Sequence, residues 1–327
     1  MADNQGQDPG RRARVVAVLN GKGGVLKTSI VANVAGQVAR SGMRALVVDL
    51  DVSGNLKLDL GLVGEPGDDK GKGIVDAVWS GVPLPVVHEV RANLDFVYGG
   101  RMLEMLGQLA KNDMAADLPT GSVAGEFAQR IAEIAEDYDL ILLDCPPGNG
   151  ELQDMALAAS RWVLIPTRTD QASWDGLLAV GPRVKRVRQE VNPALRYLGV
   201  VITAHNPAAT RVHRNTLARL EEVGETVTVL QAVIRHSETA AHDCRSRGQL
   251  AHELARDAGT MRTERLMYLR SRRKAGAAAG SNVIQLPTAL SGSADSLAGD
   301  YLALATEICT IIADAESEAA SSIGGQA

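Results

Sequence analysis

One stretch constrains this chain more than any other: Arg14 to Ser29, RVVAVLNGKGGVLKTS. Val15–Leu19 is a short apolar run of the kind that forms a buried strand. It passes into a glycine-rich turn, and helix-forming sequence begins at Lys27 and Thr28. Strand, glycine-rich turn and helix N-terminus in that order build a cradle for phosphate. Backbone N–H groups of the turn point inward at anionic oxygens, and the helix N-terminus adds its partial positive charge. The general pattern for such a loop is GxxxxGK[ST]. Gly21, Lys22, Gly23, Gly24, Val25, Leu26, Lys27 and Thr28 follow it, with Leu26 standing where the final glycine belongs. In this pattern Lys27 reaches the β- and γ-phosphates and the Thr28 hydroxyl ligates Mg²⁺, with Ser29 next in the first helical turn.

The rest of the chain supplies a scaffold for that loop. Apolar runs recur at Ala45–Leu50, Leu94–Tyr98, Leu140–Leu143, Trp162–Ile165 and Leu198–Thr203. They do not alternate with polar residues, which suits strands buried on both faces of a parallel sheet. Helical patterns lie between them, at Ser29–Arg40, Gly121–Glu136, Ala172–Val191 and Thr210–Val223. The alternation predicts one α/β domain with a doubly wound, mostly parallel sheet flanked by helices. Aromatic residues make up only 3% of the chain, so its core must rest on Ala, Val, Leu and Ile. The expected organisation is a disordered tail over 1–13, the domain over 14–260, and a basic segment and flexible linker over 261–300. A docked C-terminal helix over 301–315 and a second disordered tail over 316–327 follow.

Acids close two of the predicted strands. Arg44 to Asp51 ends in Asp49 and Asp51, and Tyr138 to Gly148 (YDLILLDCPPG) carries Asp144. Carboxylates at the C-terminal ends of parallel strands sit where open α/β sheets bind ligands. Asp144 is placed to hold Mg²⁺ through water. The bland alternative for Asp49 and Asp51 is helix N-capping. Cys145 reads as a small buried neighbour of the site, and the three cysteines show no metal-ligand spacing.

Lys22 extends the reading. With it, Lys22-Gly-Gly-Val-Leu-Lys-Thr28 resembles the KGGxGKT loop of the deviant Walker A family, the ParA/MinD group of P-loop ATPases, and most of all ParA partition proteins. Asp49-Leu-Asp51-Val-Ser-Gly-Asn55 resembles the family's DxDPQGN segment, and DCPPG resembles its DCPPS. Weaker matches follow in family order: Leu94–Gly100, Ile165–Gly176, Val201–Pro207 and Ile234–Thr239. The resemblance implies the P-loop NTPase fold, bound ATP and Mg²⁺, and an ATP-dependent homodimer. In that dimer Lys22 would cross the interface to the partner's nucleotide. It also implies that Asp51 orients the attacking water, that Asp49 supports the Mg²⁺ held by Thr28 and Asp144, and that Asn206 reads adenine. Hydrolysis to ADP and phosphate, stimulated by a ParB-like partner, would drive partition of DNA or positioning of another cargo. A side chain at position 26 costs about 1–2 kcal/mol where the backbone must be left-handed, so slow turnover is expected. The alternative is a non-hydrolysing nucleotide-binding scaffold or regulator. A third reading is a metabolic P-loop enzyme or an iron-protein-like reductase, of which the reductase lacks the cysteine pairs for a bridging cluster.

The formal net charge of -5 excludes a globally basic nucleic-acid binder and leaves local patches. Two are candidates for non-specific DNA contacts: Arg183, Lys185, Arg186, Arg188 with Arg196, and the Arg262–Lys274 cluster. The polar first ten residues do not resemble a signal peptide. No apolar run approaches a membrane span in the sequence, so a cytoplasmic protein without membrane contact is expected, with nucleoid association following only if one of the basic patches binds DNA.

Overall fold

The computed structural model describes residues 12–206, 208–222, 228–275 and 293–324. Eight strands form one sheet: β1 (Val15–Val18), β2 (Ala45–Asp49), β3 (Val87–Arg91), β4 (Leu94–Val97), β5 (Leu140–Asp144), β6 (Trp162–Thr167), β7 (Arg196–His205) and β8 (Val229–Arg235). Their spatial order is β3-β4-β2-β5-β1-β6-β7-β8. All neighbours are parallel except β3, which runs antiparallel to β4 at the edge. The helices are α1 (Lys27–Arg40), α2 (Leu56–Asp59), α3 (Lys72–Ser80), α4 (Glu104–Leu109), α5 (Val123–Ile134), α6 (Gly150–Ala159), α7 (Gln171–Glu190), α8 (Thr210–Glu222), α9 (Glu238–Arg247), α10 (Ala251–Ala275) and α11 (Ala294–Gly324).

The continuous apolar runs have a simple cause. Val15 and Ala17 of β1 enter a core shared with residues of α3, α5, α6 and α7, whereas Val16 and Val18 enter a second core with residues of α1, α10 and α11. Side chains of successive residues point to opposite faces of a sheet, so a strand covered on both faces must be apolar at every position. The sheet is therefore doubly wound and mostly parallel, as its sequence implies. β1 lies between β5 and β6, where the connections diverge to either side. That divergence opens a crevice at the C-terminal strand ends, the place where such sheets take ligands.

Three features depart from expectation. β3 and β8 carry polar residues between apolar ones (VHEVR and VLQAVIR), because both are edge strands. The basic segment after residue 260 is the continuation of α10 to Ala275, and the linker expected over 275–299 gives way to α11 from Ala294. The C-terminal helix spans Ala294–Gly324, longer at both ends than 301–315, and takes in most of the expected tail. It is also long and apolar enough to cross a membrane, correcting the expectation that no segment approaches that length. In this fold its stripe of Leu297, Tyr301, Leu304, Ile308 and Ile312 is buried against α1, α10 and β8. Glu307 accepts the N–H groups of Gln231 and Ala232 at 2.7 and 2.8 Å, and Asp300 receives the Arg235 guanidinium at 2.6 and 2.7 Å. The helix thereby covers the β8 edge, which would otherwise be open to pairing. Residues 1–11, the remainder of the expected linker from 276 to 292, and 325–327 lie outside the described residues.

Candidate nucleotide-binding site

The loop after β1 turns at Asn20, whose side chain is fully buried. Its amide donates to the Pro166 carbonyl at 2.8 Å, and its Oδ1 accepts the Lys22 N–H at 2.8 Å. Gly23 and Gly24 are exposed, and α1 begins at Lys27. The residue before it, Leu26, has φ 65° and ψ 24°. This is the left-handed region, which for a non-glycine residue costs about 1–2 kcal/mol. The conformation that the glycine pattern demands is thus retained by a leucine. Its side chain is half-buried and packs on the core beneath α1, which offsets part of the strain.

The two lysines of the loop have opposite surroundings. Lys27 is buried and its Nζ donates to the Lys22 carbonyl at 3.0 Å. Burial lowers its pKa, opposed by the charges of Asp144, Cys145 and Asp51. Lys22 is exposed. Its backbone is held at both ends, by Asn20 and by Lys27, while its side chain faces solvent.

Three strand-end carboxylates complete the crevice. Asp49 and Asp144 are paired across β2 and β5, and both are almost fully buried. Asp49 Oδ1 accepts the Asp51 N–H at 2.9 Å, and its Oδ2 accepts the Leu56 N–H at 3.3 Å. Asp49 thus ties down the segment that carries Asp51, a role its sequence position alone does not reveal. Gly99 is required beside it: a Cβ there would fall 2.3 Å from the Asp49 carbonyl oxygen. Asp51 is half-buried and accepts the Ser53 N–H at 2.8 Å. Neither oxygen of Asp144 makes a hydrogen bond within ordinary limits. Burial pushes its pKa up to about 7; the Thr28 hydroxyl and the Lys27 ammonium hold it back, and Asp51 and Asp59 push it further. Burial, then the charge of Asp144, drives Asp49 in the same direction.

A buried carboxylate without a donor is costly unless something else binds it. Asp144 and the Thr28 hydroxyl supply the hard oxygen ligands that Mg²⁺ prefers, and Mg²⁺ habitually completes its shell with substrate phosphate oxygens. The residues present fit the ion. Cys145 is fully buried, with its thiol driven above the usual range by burial, so it is an inert neighbour. Ser29 lies at the start of α1 and its hydroxyl donates to Asp59 at 3.3 Å. Asn206 follows β7 on the same side of the sheet, is exposed, and accepts the Ala208 N–H at 3.0 Å.

The basic cluster on α7 is divided. Arg183 donates to Asp154 and to the Gly150 carbonyl, both at 2.7 Å, and Arg186 is bound to the same Asp154. Arg188 lies 5.7 Å from the Tyr197 ring centroid. Lys185 and Arg196 remain exposed. In the second cluster Arg262 is exposed on α10; the side chains of Arg265, Arg270, Arg272, Arg273 and Lys274 lie outside the description.

Strand, phosphate loop, buried lysine and strand-end carboxylates define a P-loop nucleotide-binding protein. A family model described as an AAA domain matches residues 13–197. The chromosome-partitioning ATPase Soj of Thermus thermophilus is 35% identical over 202 residues, covering 60% of this chain and 71% of that protein. Among solved structures, apo McdA of Cyanothece superposes with a TM-score of 0.63 at 18% identity, covering 74% of this chain and 93% of that one. The Mycobacterium smegmatis cobyrinic acid a,c-diamide synthase with bound ATP analogue and magnesium gives 0.59 at 24% identity, covering 72% and 92%. The chain belongs to the ParA/MinD family of P-loop ATPases and is most like ParA.

Proposed function

We propose that this protein is a ParA-like ATPase that binds ATP with Mg²⁺, dimerises on it, and uses the cycle to partition DNA or position another cargo. The observation that carries the reading is the pairing, in one loop, of a buried lysine with an exposed one. Lys27 is desolvated and aimed within its own phosphate cradle, whereas Lys22 presents its charge outward from a fixed backbone. A lysine so presented stabilises phosphate charge only when a second subunit closes over it. The partition-protein relatives support the cargo assignment; the cobyrinic acid a,c-diamide synthase neighbour contributes the fold alone. Bound Mg²⁺ supplies charge neutralisation at the phosphates, held by Thr28 and Asp144, while Asp49 fixes the segment from which Asp51 orients water. Asn206 is positioned by this reading to meet the base. DNA contact falls to Lys185, Arg196 and the α10 surface, since Arg183 and Arg186 are engaged internally. The protein acts in the cytoplasm with a stimulating partner.

A second reading, a nucleotide-binding scaffold that does not hydrolyse, is favoured by one observation: Leu26 at φ 65°. ATP turnover with and without duplex DNA, in wild type, Leu26→Gly and Lys27→Ala, separates the two. Slow wild-type turnover that Lys27→Ala abolishes supports the ATPase. Nucleotide binding without turnover, with hydrolysis gained in Leu26→Gly, establishes the scaffold.

A further inference from the structure

The phosphate loop does not stand on its own sequence. Its first residues are seated on α7, more than 140 positions later in the chain. The Gly21 N–H donates to the Gly176 carbonyl at 3.3 Å. A Cβ built on Gly176 would fall 2.3 Å from Asn20 Oδ1, 2.8 Å from Lys22 Cβ and 2.9 Å from the Lys22 nitrogen. Two of these are atoms of the rigid loop, so an added methyl must displace it. Asn20 cannot yield, because its amide is tied to Pro166 on β6 while its Oδ1 holds the Lys22 N–H. The Lys22 carbonyl then fixes Lys27 Nζ. Glycine at 176 is therefore required by space and not by backbone conformation. By contrast Gly181, one turn and a half further along α7, has open space where a Cβ would sit.

We propose that Gly176 and Asn20 are positioning residues that set the direction in which Lys22 leaves the loop. They act through Lys22 and touch no reacting atom. The proposal rests on the function proposed above for its consequence in turnover, but its structural content does not. The close approach makes the second turn of α7 a seat for the signature lysine. A displacement there reaches Lys22 before it reaches the phosphate-binding turn at Gly23 and Gly24.

Two readouts test it. The first is amide hydrogen exchange in nucleotide-free protein, resolved to residues 20–24. Gly176→Ala and Asn20→Ser should each speed exchange at the Lys22 N–H by roughly tenfold or more, because its acceptor is displaced or removed. Gly181→Ala, on the same helix, should leave it unchanged. The second is steady-state ATP hydrolysis with a fluorescent-ATP binding titration. Gly176→Ala should lower kcat by about a hundredfold, the scale expected when a group is misplaced by an ångström. Nucleotide affinity should stay within about threefold. Combined with Lys22→Ala it should cause no further loss, since both act on one group. Unchanged exchange in both Gly176→Ala and Asn20→Ser overturns the proposal, as does a multiplicative loss in the double variant. A wild type without turnover would refute the ATPase reading alone, and the exchange result would still decide this one.

Discussion

Two buried carboxylates, at opposite ends of the central strands, are treated in opposite ways. Asp95 lies in the row of Leu46 and Ile141, near the strand beginnings. It accepts the Tyr138 hydroxyl at 2.7 Å, the Glu89 N–H at 2.8 Å and a His88 ring nitrogen at 2.8 Å, with Arg44 at 3.8 Å. Burial alone would raise its pKa, yet these hydrogen bonds hold it below the ordinary range. Asp144, at the strand ends, makes no hydrogen bond within ordinary limits among the described residues and is raised, with the nearby Thr28 hydroxyl and Lys27 ammonium only partly offsetting its burial. The fold satisfies one carboxylate fully and leaves the other under-satisfied. The satisfied acid holds strands together; the under-satisfied one waits for a ligand that is not protein.

The largest effect that would break this comparison is on turnover. Asp144→Asn should reduce Mg²⁺-dependent ATP hydrolysis roughly a thousandfold, the upper range for loss of a charge-stabilising group. Its thermal unfolding temperature without nucleotide should hold or rise, since a desolvated charge has been removed. A marked fall in that temperature would make Asp144 a structural acid like Asp95. The converse substitution, Asp95→Ala, should cost about 3 kcal/mol in chemical unfolding, because it strands the Tyr138 hydroxyl and the Glu89 N–H. Nucleotide affinity should be unaffected. A weakened affinity in a folded Asp95→Ala protein would erase the division between the two ends.

Leu26 sharpens the same contrast from the loop side. Relief of a left-handed leucine is worth about 1–2 kcal/mol. If that strain is carried into the transition state, Leu26→Gly should raise kcat by up to about tenfold. Overall stability should change little, because the packing of Leu26 on the core is lost together with its strain. Unchanged turnover would show that the backbone conformation, and not the side chain, is what hydrolysis requires.

The candidate nucleotide-binding end was far more legible in sequence than the opposite end of the sheet. The phosphate loop and the strands leading to Asp49 and Asp144 are local patterns, and burial on both faces writes itself as an uninterrupted apolar run. β3 and β8 escaped because edge strands keep polar residues and so lose that signal. The end of α11 escaped because its Ala, Ser and Glu residues read as a tail, although its preceding turns dock on three elements. Arg183 and Arg186 read as a free basic cluster, because Asp154 lies some thirty residues away and meets them only when α6 packs on α7. The same limit hides what Gly176 does: the Ile165–Gly176 match marks the glycine, but its contact with Asn20 joins distant parts of the chain and does not show in the spacing of either segment. Hydrogen bonding, too, turned Asp49 from a bare acid into the anchor of a loop.

The smallest effect is also the most discriminating, because the two acids should bend stability against pH in opposite directions. It is measured by urea unfolding in chelator without nucleotide. Asp144 is raised from 3.8 to about 7 in the folded protein, so the native state binds the extra proton between those values. Stability from this group therefore falls as pH rises from about 4 to about 7 and is flat above, with a slope of at most about 1.4 kcal/mol per pH unit for one proton. Asp49, buried beside it, is driven upward by its own burial and by the charge of Asp144, so the two acids titrate in company. The Asp144→Asn protein should accordingly gain on wild type as pH climbs through that window. Asp95 is lowered, so its contribution is complete above the ordinary carboxylate pKa and is lost as pH falls below it. The deficit of Asp95→Asn should thus be constant from pH about 5 to 8 and shrink only in acid. Parallel curves for the two variants would mean that both carboxylates are equally satisfied, and that the open end of the sheet is not poised for a cation.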